Sequence, residues 1–451
     1  MTLLADRIRG IVRTNAPGLP DSRGLPGPSE RPALPGRSAL PDLERALGGA
    51  WCDGCFVVDR RSEPSARYGK DAIGTIARRL DEASAEAELF TGHPGVLHRV
   101  ERAKAFDTRS PFVFFDLETT GLSGGAGTQA FLVGCGWFEG DGAFATRQFI
   151  LTRYADERPL LETVSAQLAR AGALVSFNGK SFDAPLLETR FLFHRLEWFG
   201  GGLPHVDVLH PARQFWKRRR EMEESSCSLI ALEREILGVR RAGDVPGFEI
   251  PGRYFQFVRS GDAGPLAAVL EHNRRDLLTL AALTARLFHL ARAGADAARD
   301  AREAVALGRV YARAGDDDRA CAAYRHALER CRSPRGAFDS MRIDALRRLA
   351  LAGRRARRFE DAAWCWRELL EVRGCPLSIV REATEALAIH HEHRLRDLPS
   401  ARLFALRTLE SVEEGMRLGW TEAVQHRLTR IDRKMASLQS EVGSLEWLPD
   451  F

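Results

Sequence analysis

The sequence predicts an α/β domain built on a mixed sheet, followed by an all-α region of helical hairpins, and three observations predict it. Residues 112–115, Phe-Val-Phe-Phe, are four consecutive large apolar side chains, the mark of a strand buried on both faces. Two further apolar stretches, 129–138 and 144–152, flank Glu139-Gly140-Asp141-Gly142, a composition that suits a hairpin turn. Beyond residue 300 strand signals stop, and small and aromatic residues recur at helical spacing.

Taken in order, the elements divide the chain into five parts. At 451 residues it is too long for one compact core. Residues 1–42 read as a flexible leader, because Pro, Gly and Ser crowd positions 16–42 and cannot form a packed core. Residues 43–109 offer one helix pattern, around 71–87, and no assignable role. The α/β domain spans 110–292: three strands in a meander, a helix at 157–171, a strand at Ala173–Phe177, a helix at 184–196, a short strand at Val206–Leu209, then helices. Residues 300–410 repeat. Leu307-Gly308-x-x-Tyr311 with Ala320, Tyr324 and Ala327 fits the tetratricopeptide pattern, in which small residues let two helices pack closely. Looser copies place their equivalent alanines at Ala362 and Ala401, at spacings of 42 and 39 residues, and a plain helical bundle is the alternative. Residues 411–451 form a helical extension.

Composition excludes several classes. An apolar fraction of 44% with 28% charged residues is that of a globular protein, and no run of 18 apolar residues predicts a membrane span. The first residues lack the apolar core of a signal peptide and carry Asp6, so the cytoplasm is the expected compartment. Eight scattered cysteines make no disulfide framework. A net charge of +5 decides little by itself.

The chemistry begins where the buried strand ends. Asp116 and Glu118 are two apart, so they project to one side of an extended chain. Like charges held together cost free energy unless a cation neutralises them. Two further acids join them: Asp183 follows the strand 173–177 near the start of a helix, and Asp276 lies four residues after His272, on the same helical face. A lone Asp-x-Glu is usually a solvated strand end. Four carboxylates and a histidine at one sheet edge instead suit two Mg2+ or Mn2+ ions, hard cations that stabilise both the attacking and leaving oxygens of a phosphodiester.

Asp116-x-Glu118-Thr119-Thr120-Gly121-Leu122, then Asn178 to Phe182-Asp183, then His272 to Asp276, resembles in order and spacing the three exonuclease motifs of the DEDD superfamily. Joined to tetratricopeptide repeats, the domain is similar to the YprB-type ribonuclease H-like proteins. The likeness covers residues 110–292 well and 300–410 loosely. It implies a ribonuclease H-like fold and a 3′–5′ exonuclease acting on single-stranded DNA or RNA ends. Asp116 would bridge both metals, Glu118 and Asp276 would complete one site, and Asp183 would support the other, partly through water. Thr119, Thr120, Gly121 and Asn178 would meet the terminal nucleotide, with Gly121 alternatively serving only a turn. The third motif departs from the usual ones, which have His five residues before the Asp or Tyr four before. Here His272 stands four before, and its role as general base follows from the resemblance with that departure.

Other candidates are weaker. Lys217 and Arg218, in a basic helix end with Arg213, Arg219 and Arg220, would track a phosphate backbone, or form a solvated face. Phe215 and Trp216 among them would stack on bases or belong to the core. Asp207 would sit behind the acids. The repeats would hold a protein partner, and the alternative function is a nucleic-acid-binding adaptor with little nuclease turnover. Gly179-Lys180-Ser181 is no phosphate loop, since Leu174 stands where the first glycine is needed. Cys52-x-x-Cys55 with His93 and His98 makes an unconvincing zinc site.

Overall fold

The computed structural model describes residues 41–91, 112–121, 127–217, 219–220, 223–224, 227–331, 339–410 and 418–445. The proline-rich leader lies outside them as far as residue 40.

Seven strands form one mixed sheet. In chain order they are β1 (Ala50–Cys52), β2 (Cys55–Ser62), β3 (Phe112–Thr119), β4 (Ala130–Phe138), β5 (Phe144–Ile150), β6 (Ala173–Ser176) and β7 (His205–Asp207), and their spatial order is β1-β2-β5-β4-β3-β6-β7. The meander β3-β4-β5 is antiparallel, whereas β3-β6 and β6-β7 are parallel. The meander and the parallel strands agree with the sequence reading, with ends moved by up to three residues.

The region given no role supplies the remaining two strands. β2 pairs with β5 along its whole length, from Phe56 opposite Ile150 to Ser62 opposite Phe144. β1 and β2 form a hairpin whose two turn residues, Asp53 and Gly54, both have positive φ, +48° and +82°. That is the turn whose twist matches paired strands. The helix expected at 71–87 is shorter: α1 (Ile73–Glu82) follows a small ribbon of Arg67–Tyr68 with Asp71–Ala72, and a 3-10 turn follows it.

Both faces of β3 are covered, as its unbroken apolar run requires. Phe112 and Phe114 enter a core shared with α1 and the C-terminal helices, while Val113, Phe115 and Leu117 enter a second core. That second core holds α2 (Glu157–Leu168), α3 (Asp183–Phe193) and α5 (Ile250–Ser260); α4 (Leu209–Phe215) belongs to the first. The 30-residue helix α6 (Gly264–Ala293) serves both cores. Its Leu266, Val269 and Leu270 pack in one and its Leu277 to Ala291 in the other. Residues 272–276 fall between these apolar stretches.

The rest of the chain is helical. α7 (Ala301–Arg313) packs on α8 (Asp317–Arg330), α9 (Ser340–Arg355) on α10 (Phe359–Leu370) and α11 (Leu377–His390) on α12 (Leu398–Glu410), with α13 (Leu418–Leu445) against the last. Close approach needs small residues: a side chain at Gly308 would collide with the ring of Tyr324, and Ala320, Ala362 and Ala401 are all buried. Phe215 and Trp216 are core rather than stacking surfaces, and the Trp216 indole donates to buried Glu303 of α7 at 2.9 Å. Among the described residues no helix is long and apolar enough to cross a membrane.

Candidate active site

Asp116 and Glu118 stand near the carboxyl end of β3, each partly exposed between buried neighbours. The register of β3 on β4 shifts between Glu118 and Thr119, a bulge of the kind that re-aims side chains beside functional sites. Thr119 and Thr120 secure this strand end. Thr119 Oγ1 donates to the Gly121 carbonyl at 2.9 Å, and Thr120 Oγ1 accepts the Gln129 amide at 3.0 Å. Neighbouring residue Leu122 lies outside the described residues.

One rung of the sheet fixes Asp116. Asp116 faces Gly134 on β4, and Gly134 faces Gln148 on β5. Because Gly134 has no side chain, the fully buried Asn273 of α6 fits over it; a Cβ there would strike the Asn273 amide. Asn273 Nδ2 donates to Asp116 Oδ2 at 2.9 Å, and its Oδ1 accepts from Gln148 Nε2 at 2.8 Å. Gln148 also donates to the Leu270 carbonyl at 2.8 Å. This amide chain was not legible in the sequence, although a glycine inside an apolar strand is the signal of a close backbone approach.

Asp183 opens α3 and is buried. The loop before it is shaped by Asn178, which has φ +71°, and by Asp207 at the end of β7. Asp207 accepts the backbone N–H groups of Asn178 at 2.8 Å, Lys180 at 3.1 Å and Leu209 at 3.1 Å. Asp207 thus supports the loop from behind, where the sequence reading put it. Lys217, beyond the end of α4, is partly exposed, and Arg218 lies outside the described residues.

His272 and Asp276 sit one turn apart on α6, as their spacing requires. His272 is buried, with Nδ1 2.9 Å from Asp244 Oδ1 and Nε2 3.4 Å from Asp276 Oδ2. Asp276 is further bound by Arg241, whose Nη2 lies 2.5 Å from Oδ1. The same guanidinium reaches Glu233 at 2.5 Å and Asp244 at 3.0 Å, with its side chain only 4% exposed. Arg241 and Asp244 lie in the irregular segment before α5, and nothing in their local pattern marks them.

The charges of three of these acids act on the fourth. Burial, then the charges of Asp276, Glu118 and Asp183, holds the Asp116 carboxyl well above the usual range. Burial with Asp276, Asp183 and Asp244 pushes Glu118 up to about 8. Burial and Asp207 push Asp183 up to about 7. Burial also raises Asp276, against the opposing pull of Arg241 and His272. For Asp244, burial is outweighed by its bonds to Arg241 and His272, and its pKa is lowered.

A divalent metal fits this donor set in kind: hard carboxylate oxygens whose mutual repulsion a cation would relieve. Among the described residues, however, no group of three or more His, Cys, Asp or Glu stands already gathered as a metal cage. Asp276 is turned to Arg241 instead. The cysteine pair is no alternative centre. Cys52 and Cys55 face each other across the hairpin, burial pushes the Cys55 thiol up to about 12, and His93 and His98 lie outside the described residues.

Residues 113–288 match the RNase_H superfamily. Over 350 residues the chain is 30% identical to the uncharacterized protein YprB of Bacillus subtilis (strain 168), covering 76% of this chain and 79% of that protein. The chain belongs to the YprB family. Its matched domain runs from the second residue of β3 to late α6, so it contains all four acids and His272. The fold of that domain, a mixed sheet with Asp116 and Glu118 near the end of β3, is ribonuclease H-like, which suggests a nucleic-acid hydrolase. The two N-terminal strands lie outside the match yet complete the same sheet.

Proposed function

We propose that this protein is a two-metal-dependent 3′–5′ exonuclease that hydrolyses single-stranded DNA or RNA ends. One observation carries the reading: at the partly exposed end of β3 the charges of Glu118, Asp183 and Asp276, from three separate elements, act on Asp116, and those of Asp183 and Asp276 act on Glu118. A protein core gains nothing from four such groups, and clustered perturbed acids are what a cation-assisted hydrolase requires. Asp116, Glu118 and Asp276 would hold one Mg2+ or Mn2+ and Asp116 with Asp183 the other; when bound, the pair would stabilise charge on the attacking and leaving oxygens.

The chain's own residues prepare the rest. Asn273 holds Asp116 in one rotamer. Asp244 fixes the His272 ring, because Nδ1–H donating to its carboxylate leaves Nε2 as the acceptor facing the acids. That is the tautomer a general base at this position needs. Thr119, Thr120 and Gly121, which follow Glu118, and Asn178, in the loop before Asp183, would meet a terminal nucleotide, and Lys217 and Arg218 are further candidate contacts to its phosphates. The helical hairpins are read as tetratricopeptide-like repeats that hold a protein partner, in a cytoplasmic protein.

Asp116→Asn is expected to abolish Mn2+-dependent release of mononucleotides from a labelled oligonucleotide while leaving the protein folded. Wild-type protein that never shortens any labelled strand with Mn2+ would overturn the reading. Arg241 on Asp276 favours a second reading, an adaptor that binds nucleic acid with little turnover. Tight binding without cleavage in parallel assays selects it.

A further inference from the structure

Two recesses adjoin between the α/β layer and the helical hairpins. One, of about 610 Å³, has Lys180, Asp207, His210 and Gln214 on one side and Arg313 on the other. The second, of about 570 Å³, is walled by Gln214, Arg309, Arg313, Arg348 and Arg355. Gln214 and Arg313 belong to both, and Arg313 Nη2 lies 3.5 Å from Gln214 Oε1. The two therefore make one groove, running from Lys180 across α4 and along the first helices of two consecutive hairpins.

Sequence spacing gives that groove its charge. Arg309 and Arg313 are four apart on α7, and Arg348 and Arg355 seven apart on α9, so each pair shares a helical face. Arg309 and Arg348 share a single carboxylate, Asp344, at 2.6 and 3.0 Å. Arg355 is matched by Asp317 at 2.9 Å. Among the described residues Lys180 and Arg313 have no acidic partner. Glu88 also lines the first recess, and Asp207 keeps its charge although three backbone N–H groups bond it. Against the five cations stand Glu88, Asp207, Asp317 and Asp344, so the groove keeps a surplus of one positive charge.

Its near end lies one loop from the acids. Lys180 donates its backbone N–H to Asp207, and the charge of Asp207 is felt by Asp183. We propose that this groove binds the phosphodiester backbone of a single strand whose end lies at the acid recess, so that the helical hairpins bind nucleic acid directly. The proposal rests on the nuclease reading for its polarity. Continuity with the Asp183 loop favours a nucleic-acid strand over an acidic protein segment, because on the nuclease reading cations held by the acids would act on a phosphodiester end.

The test measures binding by fluorescence anisotropy, using the full chain with Asp116→Asn so that strands stay intact, and 5′-labelled oligo-dT and oligo-U of 4 to 16 nucleotides. Lengthening should raise affinity at least about tenfold, and Arg313→Glu should remove most of that gain. A milder variant, R309Q/R313Q/R348Q, keeps long polar side chains and guards against misfolding. It should lower the salt slope by about 0.7 for each phosphate it no longer neutralises, roughly two in all. An unchanged length dependence and salt slope in both variants overturn the proposal. So does equal displacement of the oligonucleotide by polyglutamate, which would assign the groove to an acidic protein. Mononucleotide release by wild-type protein with Mn2+ is read separately, so failure of the nuclease reading and failure of the groove give different results.

Discussion

The absence of a side chain at position 134 decides where Asp116 points. Asn273 occupies the space over Gly134 and bonds Asp116 on one side and Gln148 on the other. Gly134→Ala should displace that amide, cost about 1–3 kcal/mol as other overpacked core sites do, and lower nuclease activity more than tenfold. Denaturant melts beside the oligonucleotide assay check it; full activity in Gly134→Ala would show that Asn273 need not hold Asp116. Arg241 poses the opposite question, since its single charge is shared among Asp276, Glu233 and Asp244 while almost wholly buried. Arg241→Met removes one partner from a buried network, an error that typically costs about 3–5 kcal/mol. The variant should melt lower than wild type in EDTA. Mn2+ should then raise its midpoint more than it raises that of wild type, because Asp276 is without its internal cation. Equal Mn2+ shifts in the two proteins would show that Arg241 and metal do not compete.

Elements differ in how far they could be read. β3 was legible because four apolar residues leave no solvated face, and the acids after it were legible because charge at such an end is anomalous. β2 was not. Its first four residues are buried and its next three exposed, so neither alternation nor an apolar run appears. The charged half is held by ion pairs to β5 and to the turn after β4, Arg147 with Asp59 and Arg61 with Glu139, contacts that sequence spacing hides. The Asp53-Gly54 turn was a usable signal, masked by the flanking cysteines. Asn273 and Arg241 acquire their roles from Gly134, Gln148 and Asp276, each distant in sequence or joined through irregular chain, and no periodicity reports such meetings. The missed strands yield a direct test. A chain beginning at residue 110 lacks β1, β2 and α1, which uncovers the edge of β5 and the Phe112–Phe114 face. It should be recovered mainly as aggregate. Size-exclusion chromatography of this deletion beside the full chain checks it, and a monodisperse chain from residue 110 would mean that β2 is dispensable.

At the scale of the whole molecule, the α/β layer and the helical hairpins share one apolar core, and buried Glu303 joins them by accepting from Trp216, Arg286 and Arg299. Strain at the acid recess therefore bears on a single folded unit. Its pH dependence has a definite sign. Folding raises Asp183 to about 7 and Glu118 to about 8, from carboxyls that titrate near 4 when unfolded. Between those limits the folded chain keeps protons that the unfolded chain has released, so stability falls as pH rises. The decline begins above the unfolded values and is complete above about 8. Asp116→Asn removes one charge and weakens the repulsion on the others, while its amide oxygen can still accept from Asn273. In EDTA the variant should thus gain on wild type as pH rises from 5 to 8, because wild type alone must ionise the buried Asp116 carboxyl, which folding holds well above the usual range. Mn2+ should abolish this difference by neutralising the acids in wild type, and it should bind more tightly at pH 8 than at pH 6 because binding must expel the shared protons. Parallel melting profiles across that range, with and without Mn2+, would mean that the four carboxylates do not act on one another.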